Sequence, residues 1–527
     1  MTRIGNRRAR FALATVALVA AGLLATGAGG SVAAQSKAGG TLTIGLAEDP
    51  DALDPTLART FVGRMVFLHM CEKLYDLNAK LQIVPQLAAA LPTLSGDKKT
   101  MTIRIRRGIR FNDGTPLNAA AVKTSLDRHR TLAGSARASE ISPITAVQVV
   151  NNSTVRLQLN SRFSPLTAQL ADRAGMIMSP RAIEQLGTRF ASGPVCVGPF
   201  KFTSRTAGDR IVLDKSQFYY ARAKVKLNRI IFRIITEPTA RAANLRSKDI
   251  QVLDRIASTD LPAIQRDRTL RVLKSTSIGY QGISINIGNK NGIGKPFSNV
   301  GTPLASKRAL RQAFELSLDR KVINRVVFGG TVLPGCLPVP PASPYYDARI
   351  KCPGRNVARA RSLIRSAGVS TPVRVQLMIG TDQVAARLGQ VIQSMAREAG
   401  FQVDLAPTEF VTALRRQDQG NYDAFAIGWS GRVDPDGNIY QFVHSKGSLN
   451  NLGWGAGRMD LLLDNARKAA TLKARKTLYS AVFRTLRTEL PLIYLWHPVN
   501  RHGVTANVKG VRTYGDGLIR AYFAEYK

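Results

Sequence analysis

The sequence predicts two α/β lobes, with the chain returning to the first lobe at its end. Three observations carry this. The first half contains short runs that alternate apolar and polar residues with period two, as half-buried strands do. Beyond about residue 286 the texture changes to amphipathic helices interleaved with apolar strands. A final apolar run, LPLIYLW at 490–496, reads as a buried strand with thirty-one further residues behind it.

Taken in order, TLTIGL at 41–46 is a strand, followed by an Asp/Pro-rich loop from Ala47 to Pro55. A helix is expected from about Val62 to Tyr75, with Val62, Met65, Val66, His69 and Met70 on its apolar side. His69 on such a face reads as a core histidine. TMTIRI at 100–105 and the later TVRLQL alternate as antiparallel strands. Between them Asn118 caps a helix to about Arg130. Ser179-Pro180 opens a short helix that Gly187 closes, with Pro at the start and Gly at the end. IVLDKS at 211–216 and RIIFRII at 229–235 supply further strands. One long helix is expected over Ser306–Val327, and others over Asn356–Ala367 and Gln383–Ala399. VRVQLMI at 373–379 and FQVDLA at 401–406 flank the last of these, a β-α-β order that implies a parallel pair with a right-handed crossover. YDAFAIGW at 422–429 is a strand running into a Gly/Asp loop, and helices are expected over about 457–470 and 474–488.

Composition narrows the function. The chain has 527 residues, 44% of them hydrophobic, too apolar for a disordered polycation and long enough for several domains. Arg3, Arg7, Arg8 and Arg10 precede an apolar run from Phe11 to Ala25, and small residues follow to Ala34. That is the layout of a secretory signal peptide cleaved near Ala34, without the cysteine of a lipoprotein anchor. The formal charge is +40, and loss of the leader arginines leaves about +36. The basic residues are spread along the chain and no nucleic-acid-binding motif is present. The charge therefore reads as that of a basic exported protein, held near anionic surfaces, and not of a nucleic-acid binder.

Export permits disulfides. Cys336 and Cys352 flank the Pro-rich loop LPVPPASPYYDARIK and suit a local clasp, which leaves Cys71 with Cys196. The five histidines have no metal-ligand spacing, the nucleophile elbow Gly-Xaa-Ser-Xaa-Gly is absent, and GPVCVG at 193–198 lacks the Lys-Ser/Thr of a phosphate loop. No cofactor or metal site is expected, and binding is expected in place of catalysis.

Several segments carry a resemblance. They are CEKLYDLNAKLQIVPQLAAALP at 71–92, MTIRIRRGIRFNDGTPLNAAAVKTSLDR at 101–128, PVCVGPFKF at 194–202, RALRQAFELSLDRKVINRVVFGG at 308–330, VARARSLIRSAG at 357–368, YDAFAIGWSGRVDPDGN at 422–438 and ELPLIYL at 489–495. With these the chain resembles the extracytoplasmic solute-binding proteins of ABC importers, family 5, the subclass of dipeptide-, oligopeptide- and nickel-binding proteins. The resemblance implies the large class II periplasmic-binding-protein fold. In this sequence that means lobe I over 35–285 with an inserted subdomain at about 76–195, lobe II over 286–494, a return over 495–527, and a hinge of two crossing strands. It also implies a monomer that encloses a short peptide or small molecule and docks on a membrane permease.

On this reading Trp429, Ser430, Gly431, Arg432 and Asp434 form one wall of the ligand site, where a strand C-terminus meets a crevice. The loop Asp54–Phe61 faces it, with Thr60 and Phe61 as contacts; Tyr280 is a third aromatic candidate and Trp454 a weaker one. The peptide binders of the family have an aspartate after the Trp, which pairs with the peptide ammonium. Arg432 stands there instead, and a guanidinium repels an ammonium and forks onto carboxylate or phosphate. The alternatives are a peptide carrier in which Arg432 pairs with Asp434 or Asp436, a binder of an anionic non-peptide solute, or a basic protein for surfaces and polyanions.

Overall fold

The computed structural model describes residues 39–455 and 457–527; the expected signal peptide at 1–34 lies outside them. Among the described residues no helix is long and apolar enough to cross a membrane.

Thr41–Leu46 alternates as expected, and Leu42, Ile44 and Leu46 are all buried. It lies inside a seven-stranded sheet, parallel to Arg229–Ile234 on one side and to Val252–Leu253 on the other. Arg210–Lys215 and Phe200–Thr206 extend the sheet antiparallel at one edge. Val499–Thr505 and Leu270–Thr276 extend it at the other. The helix Phe61–Met70 shares a core with this sheet. His69 on that helix is fully satisfied: Nδ1 lies 2.7 Å from the Met65 carbonyl and so donates, while Nε2 accepts from the Ala521 N–H.

A second sheet has six strands in the order 333–334, 492–497, 280–285, 424–429, 373–379, 401–407. Val373–Ile379 and Phe401–Pro407 are parallel, joined through the helix Gln383–Glu398, as the β-α-β reading requires. A separate antiparallel sheet of four strands, between 93 and 159, carries its own core with the helix Ala119–Thr131. Asn118 caps that helix, its side chain accepting from Ala121 N–H at 2.9 Å. Both disulfides are formed, Cys71–Cys196 and Cys336–Cys352.

Three expectations need correction. The helix at 62–75 stops at Met70, because Glu72 N–H turns away to the Val197 carbonyl at 2.7 Å and Tyr75–Leu77 continues as a strand. The long helix at 306–327 is three helices, Pro303–Ser306, Arg308–Ser317 and Arg320–Phe328. The last break falls at Asp319, whose carboxylate caps the following helix by accepting from Lys321 and Val322 N–H. Finally, Tyr280–Ile285 was placed with the first lobe by a boundary at 285, yet it pairs with Leu492–His497 and Ala424–Trp429 in the second sheet. That boundary followed the change in helix texture, whereas strand pairing changes sheets earlier.

The chain therefore passes from the first sheet to the second between Thr276 and Tyr280, and returns between His497 and Val499. The two passages are bonded to each other. Ser277 N–H donates to the Pro498 carbonyl at 3.0 Å, and His497 Nδ1 lies 2.7 Å from the Gly279 carbonyl.

Candidate functional site

Trp429 ends its strand directly opposite Tyr280, next to the crossing passage. The loop that follows turns at Gly431, whose φ of +82° is open to glycine. A Cβ there would come within 2.4 Å of the Ile278 carbonyl carbon, so this loop lies on the backbone of the passage itself. Asn438 then holds Arg432 by its main chain: Oδ1 accepts from Arg432 N–H at 2.6 Å, and Nδ2 donates to Arg432 O at 3.1 Å. The Arg432 side chain lies over the Trp429 ring, with the guanidinium carbon 4.5 Å from the centroid. Trp429 Nε1 donates to the Gly437 carbonyl at 2.9 Å.

Opposite this loop stand residues from the first part of the chain. Asp172 Oδ2 lies 2.7 Å from Arg432 Nε and 2.7 Å from Arg64 Nη2. The Arg432 Nε–H is not aligned on that oxygen, so the contact is an ion pair without a hydrogen bond. Arg64 Nη1 also donates to Ser430 Oγ at 3.0 Å. Arg173 Nη1 donates to the Ala58 carbonyl at 2.7 Å. Arg137 Nη2 reaches the same oxygen at 3.3 Å, while its Nη1 donates to Glu140 Oε1 at 2.7 Å. Further contacts join the same two sides: Arg59 to Asp418 at 2.7 Å and Gln169 Nε2 to Asp436 Oδ2 at 2.9 Å.

The electrostatics of this cluster are unbalanced. Among the described residues, Arg64, Arg137, Arg173 and Arg432 are ion-paired only with Asp172 and Glu140, an excess of two positive charges, and none of the six is more than 6% exposed. Adjacent Lys73–Asp76 and Arg520–Asp516 are balanced pairs and leave the excess unchanged. His129 adds no charge at neutral pH, because burial pushes it down to about 4. Burial, and then the charge of Arg64, pushes Arg432 down to about 9. Burial followed by Arg137 and Arg432 pushes Arg173 down as well. Burial opposes ionisation of Asp172, but Arg432 and Arg64 outweigh it and hold that carboxyl below the usual range. Among the described residues, Nε of Arg137, and Nε and Nη2 of both Arg173 and Arg432, have no hydrogen-bond acceptor, although Arg432 Nε and Arg173 Nε lie 2.7 and 3.7 Å from the two oxygens of Asp172.

A model of the family described as bacterial extracellular solute-binding proteins, family 5 middle, matches residues 82–450. The chain belongs to this family. Its members are solute-binding proteins and not enzymes. The glutathione-binding protein GsiB of Salmonella choleraesuis (strain SC-B67) is 29% identical over 348 residues, covering 66% of this chain and 65% of that protein's length. GsiB of Pectobacterium atrosepticum is 25% identical over 498 residues, covering 91% of this chain and 92% of its own. Among solved structures, the PBP AgaA from A. tumefaciens R10 in complex with agropinic acid superposes with a TM-score of 0.83 at 24% identity, over 93% of this chain and 99% of AgaA. The dipeptide binding protein of Pseudoalteromonas sp. SM9913 in complex with Met-Leu gives 0.84 at 20% identity, over 93% and 100%. The fold is thus the mixed α/β periplasmic-binding-protein fold of family 5.

In this family 5 protein the structure gathers Trp429, Ser430, Gly431 and Arg432 at one point and leaves other expected site residues elsewhere. Asp434 is engaged by Arg475 in a two-pronged pair at 2.6 and 2.7 Å, and Asp436 by Arg467 at 2.7 Å, so neither is the partner of Arg432. Thr60 caps the helix Phe61–Met70, and its hydroxyl donates to Asp51 Oδ1 at 2.8 Å. Phe61 lies under the Arg255 guanidinium, 5.7 Å from its carbon. Tyr280 is buried edge-on against Tyr494, and Trp454 is buried in the same apolar cluster as Trp429. The loop facing Trp429 contributes a main-chain oxygen, that of Ala58, where side chains were expected. Sequence reasoning missed Arg64, Arg137, Glu140, Asp172 and Arg173. Arg64 had a usable signal: it lies in FVGRMVFLHM, a helix apolar nearly all round, where an arginine is buried and requires an anion.

Proposed function

We propose that this chain is the solute-capturing component of an ABC importer. It is exported behind its first 34 residues, acts as a monomer, encloses a peptide-sized solute between the lobes and presents it to a membrane permease. The observation that carries this is the meeting of the Trp429–Arg432 loop with Arg64 and Asp172 beside the two crossing passages. These contacts separate when the lobes part about the passages and re-form when they close, which is how a hinge binder holds its ligand. GsiB is a glutathione-binding protein, and Met-Leu and agropinic acid occupy the related folds, which supports a ligand of that size.

The test is a thermal-shift screen of residues 35–527 with dipeptides, tripeptides, opine-like acids and oligosaccharides. A ligand that binds only the native state raises the melting point by mass action. The shift should survive 0.5 M salt and be lost in Trp429→Ala. Binding to polyanions alone, falling steeply with salt, would refute the reading.

A further inference from the structure

We infer that the four-stranded body between 93 and 159 is a clasp on the cleft. It grips the side of the second sheet through Arg467, and this grip sets how much of the protein is closed whatever the solute. This rests on the reading of the chain as a hinged solute binder, and it makes Arg467 a positioning residue for closure.

Arg467 stands near the end of the helix Gly457–Lys468, which packs with the second sheet: Met459, Leu463 and Ala466 share a cluster with Tyr280, Trp429 and Tyr494. Its guanidinium is fixed there by Asp436, Nε to Oδ1 at 2.7 Å and Nη2 to Oδ2 at 3.0 Å, and lies on the Tyr440 ring. From that seat it reaches across. Nη2 also donates to the Ser139 carbonyl at 3.1 Å, Nη1 donates to Ser142 Oγ at 3.3 Å, and the Phe163 ring lies 5.0 Å away. Ile141 and Phe163, beside these contacts, belong to the core of the four-stranded body. Gln169 donates to the same Asp436.

The backbone is engaged as well. The last carbonyls of a helix have no partner inside it and carry the negative end of its dipole. Here the Arg467 carbonyl accepts from Ser164 N–H at 2.8 Å, the Ala469 carbonyl from Ser164 Oγ at 2.7 Å, and the Ala470 carbonyl from Arg162 Nη2 at 3.2 Å. The end of this helix is thus capped by the opposite body. Ser139 Oγ and Ser448 Oγ share one more hydrogen bond across the same seam, at 2.8 Å. None of these groups is on the Trp429–Arg432 loop or on Arg64. Their contribution to the closed arrangement is therefore the same for every solute, and apparent affinity scales with the closed fraction they maintain.

The test uses residues 35–527 with nitroxide labels on Val150→Cys and Leu461→Cys, two exposed positions on opposite sides of the seam; all four native cysteines lie in disulfides. Electron–electron distance distributions are compared for this background, for Arg162→Ala/Ser164→Ala and for Arg467→Lys. The first variant removes two side-chain bonds at the edge of the seam. The second keeps a cation for Asp436 and loses the fork onto Ser139 and Ser142. Without added solute, each should lower the ratio of short to long distances roughly tenfold with circular dichroism unchanged. Affinities for glutathione and for Met-Leu, from thermal shift, should fall by that same factor. An unchanged distance distribution in both variants would overturn the inference. So would a loss of affinity for one probe alone, since a clasp acts on all solutes equally. No response to either solute would tell against solute capture, while a fall in the short-distance fraction would still sustain the clasp.

Discussion

Replacing Asp172 by Asn removes the anion that Arg64 and Arg432 share and keeps the shape of the side chain. Asp172 has a guanidinium nitrogen 2.7 Å away on each of two residues, and all three are buried. At an effective dielectric of ~20, unit charges ~4 Å apart attract by ~4 kcal/mol, so two partners supply ~8 kcal/mol. Several kcal/mol of carboxylate desolvation are recovered when the charge is removed, which leaves a net loss of ~3–5 kcal/mol. Unfolding entropy of ~2.1 cal/mol/K per residue makes 1 kcal/mol worth ~1 °C in a chain of this size. The expected fall in melting temperature is therefore ~3–5 °C at pH 7, by calorimetry. Because the carboxyl is held below its ordinary value of 3.8, its contribution is present above that pH and is lost as the pH falls below it. Asp172→Asn should therefore lose its penalty under strongly acid conditions. A melting temperature within 1 °C of wild type at pH 7 would refute the assignment of Asp172 as the anion of the cluster.

Further outcomes follow from other parts of the molecule. Burial pushes Glu72 up from 4.5 to about 7, against the hydrogen bonds from Tyr219 and Tyr220. The folded state then binds the extra proton, so stability falls by ~3 kcal/mol as the pH rises from 4.5 to 7, and Glu72→Gln should flatten that limb of the pH–melting profile. Opening Cys71–Cys196 by double substitution to Ser frees a loop of 125 residues and should cost up to ~5 kcal/mol. The Cys336–Cys352 loop of 16 should cost ~3, and denaturant titration of the two variants would show whether that order holds. Gly431→Ala puts a Cβ 2.4 Å from the Ile278 carbonyl carbon at positive φ, so the loop must shift. Ligand-induced quenching of tryptophan fluorescence should disappear with the fold retained by circular dichroism, and unchanged quenching would show that the loop is not needed.

The period-two strands and the caps at Asn118, Ser179 and Gly187 were legible in the sequence because each depends on neighbours within four residues. The break at Asp319 was hidden inside an apolar period that continues on both sides of it, although Asp is a strong N-cap residue. The sheet to which Tyr280–Ile285 belongs was not legible, since YQGISI suits either sheet and only its partners at 424–429 and 492–497 decide. At the site, Arg432 stood out because it replaces an anion expected in the family. Its partner Asp172 lies 260 residues earlier, in a segment with no periodic pattern, and the pairing exists only in three dimensions. Thr60 was selected for the correct loop, but its hydroxyl serves the helix cap.

The late return of the chain has a consequence for its biogenesis. Val499–Thr505 fits between strands made more than two hundred residues earlier, Val252–Leu253 and Leu270–Thr276, while Leu492–His497 fits between Leu333–Pro334 and Tyr280–Ile285. Each sheet thus has an internal gap until the last tenth of the polypeptide arrives. A nascent chain can form helices and the four-stranded sheet between 93 and 159, but neither large sheet is continuous before its C-terminal strands emerge. Pairings of such long sequence separation form slowly. Premature compaction is thereby disfavoured during synthesis, which suits the proposed export of this polypeptide, since a chain threaded through a membrane must stay unfolded until it has crossed.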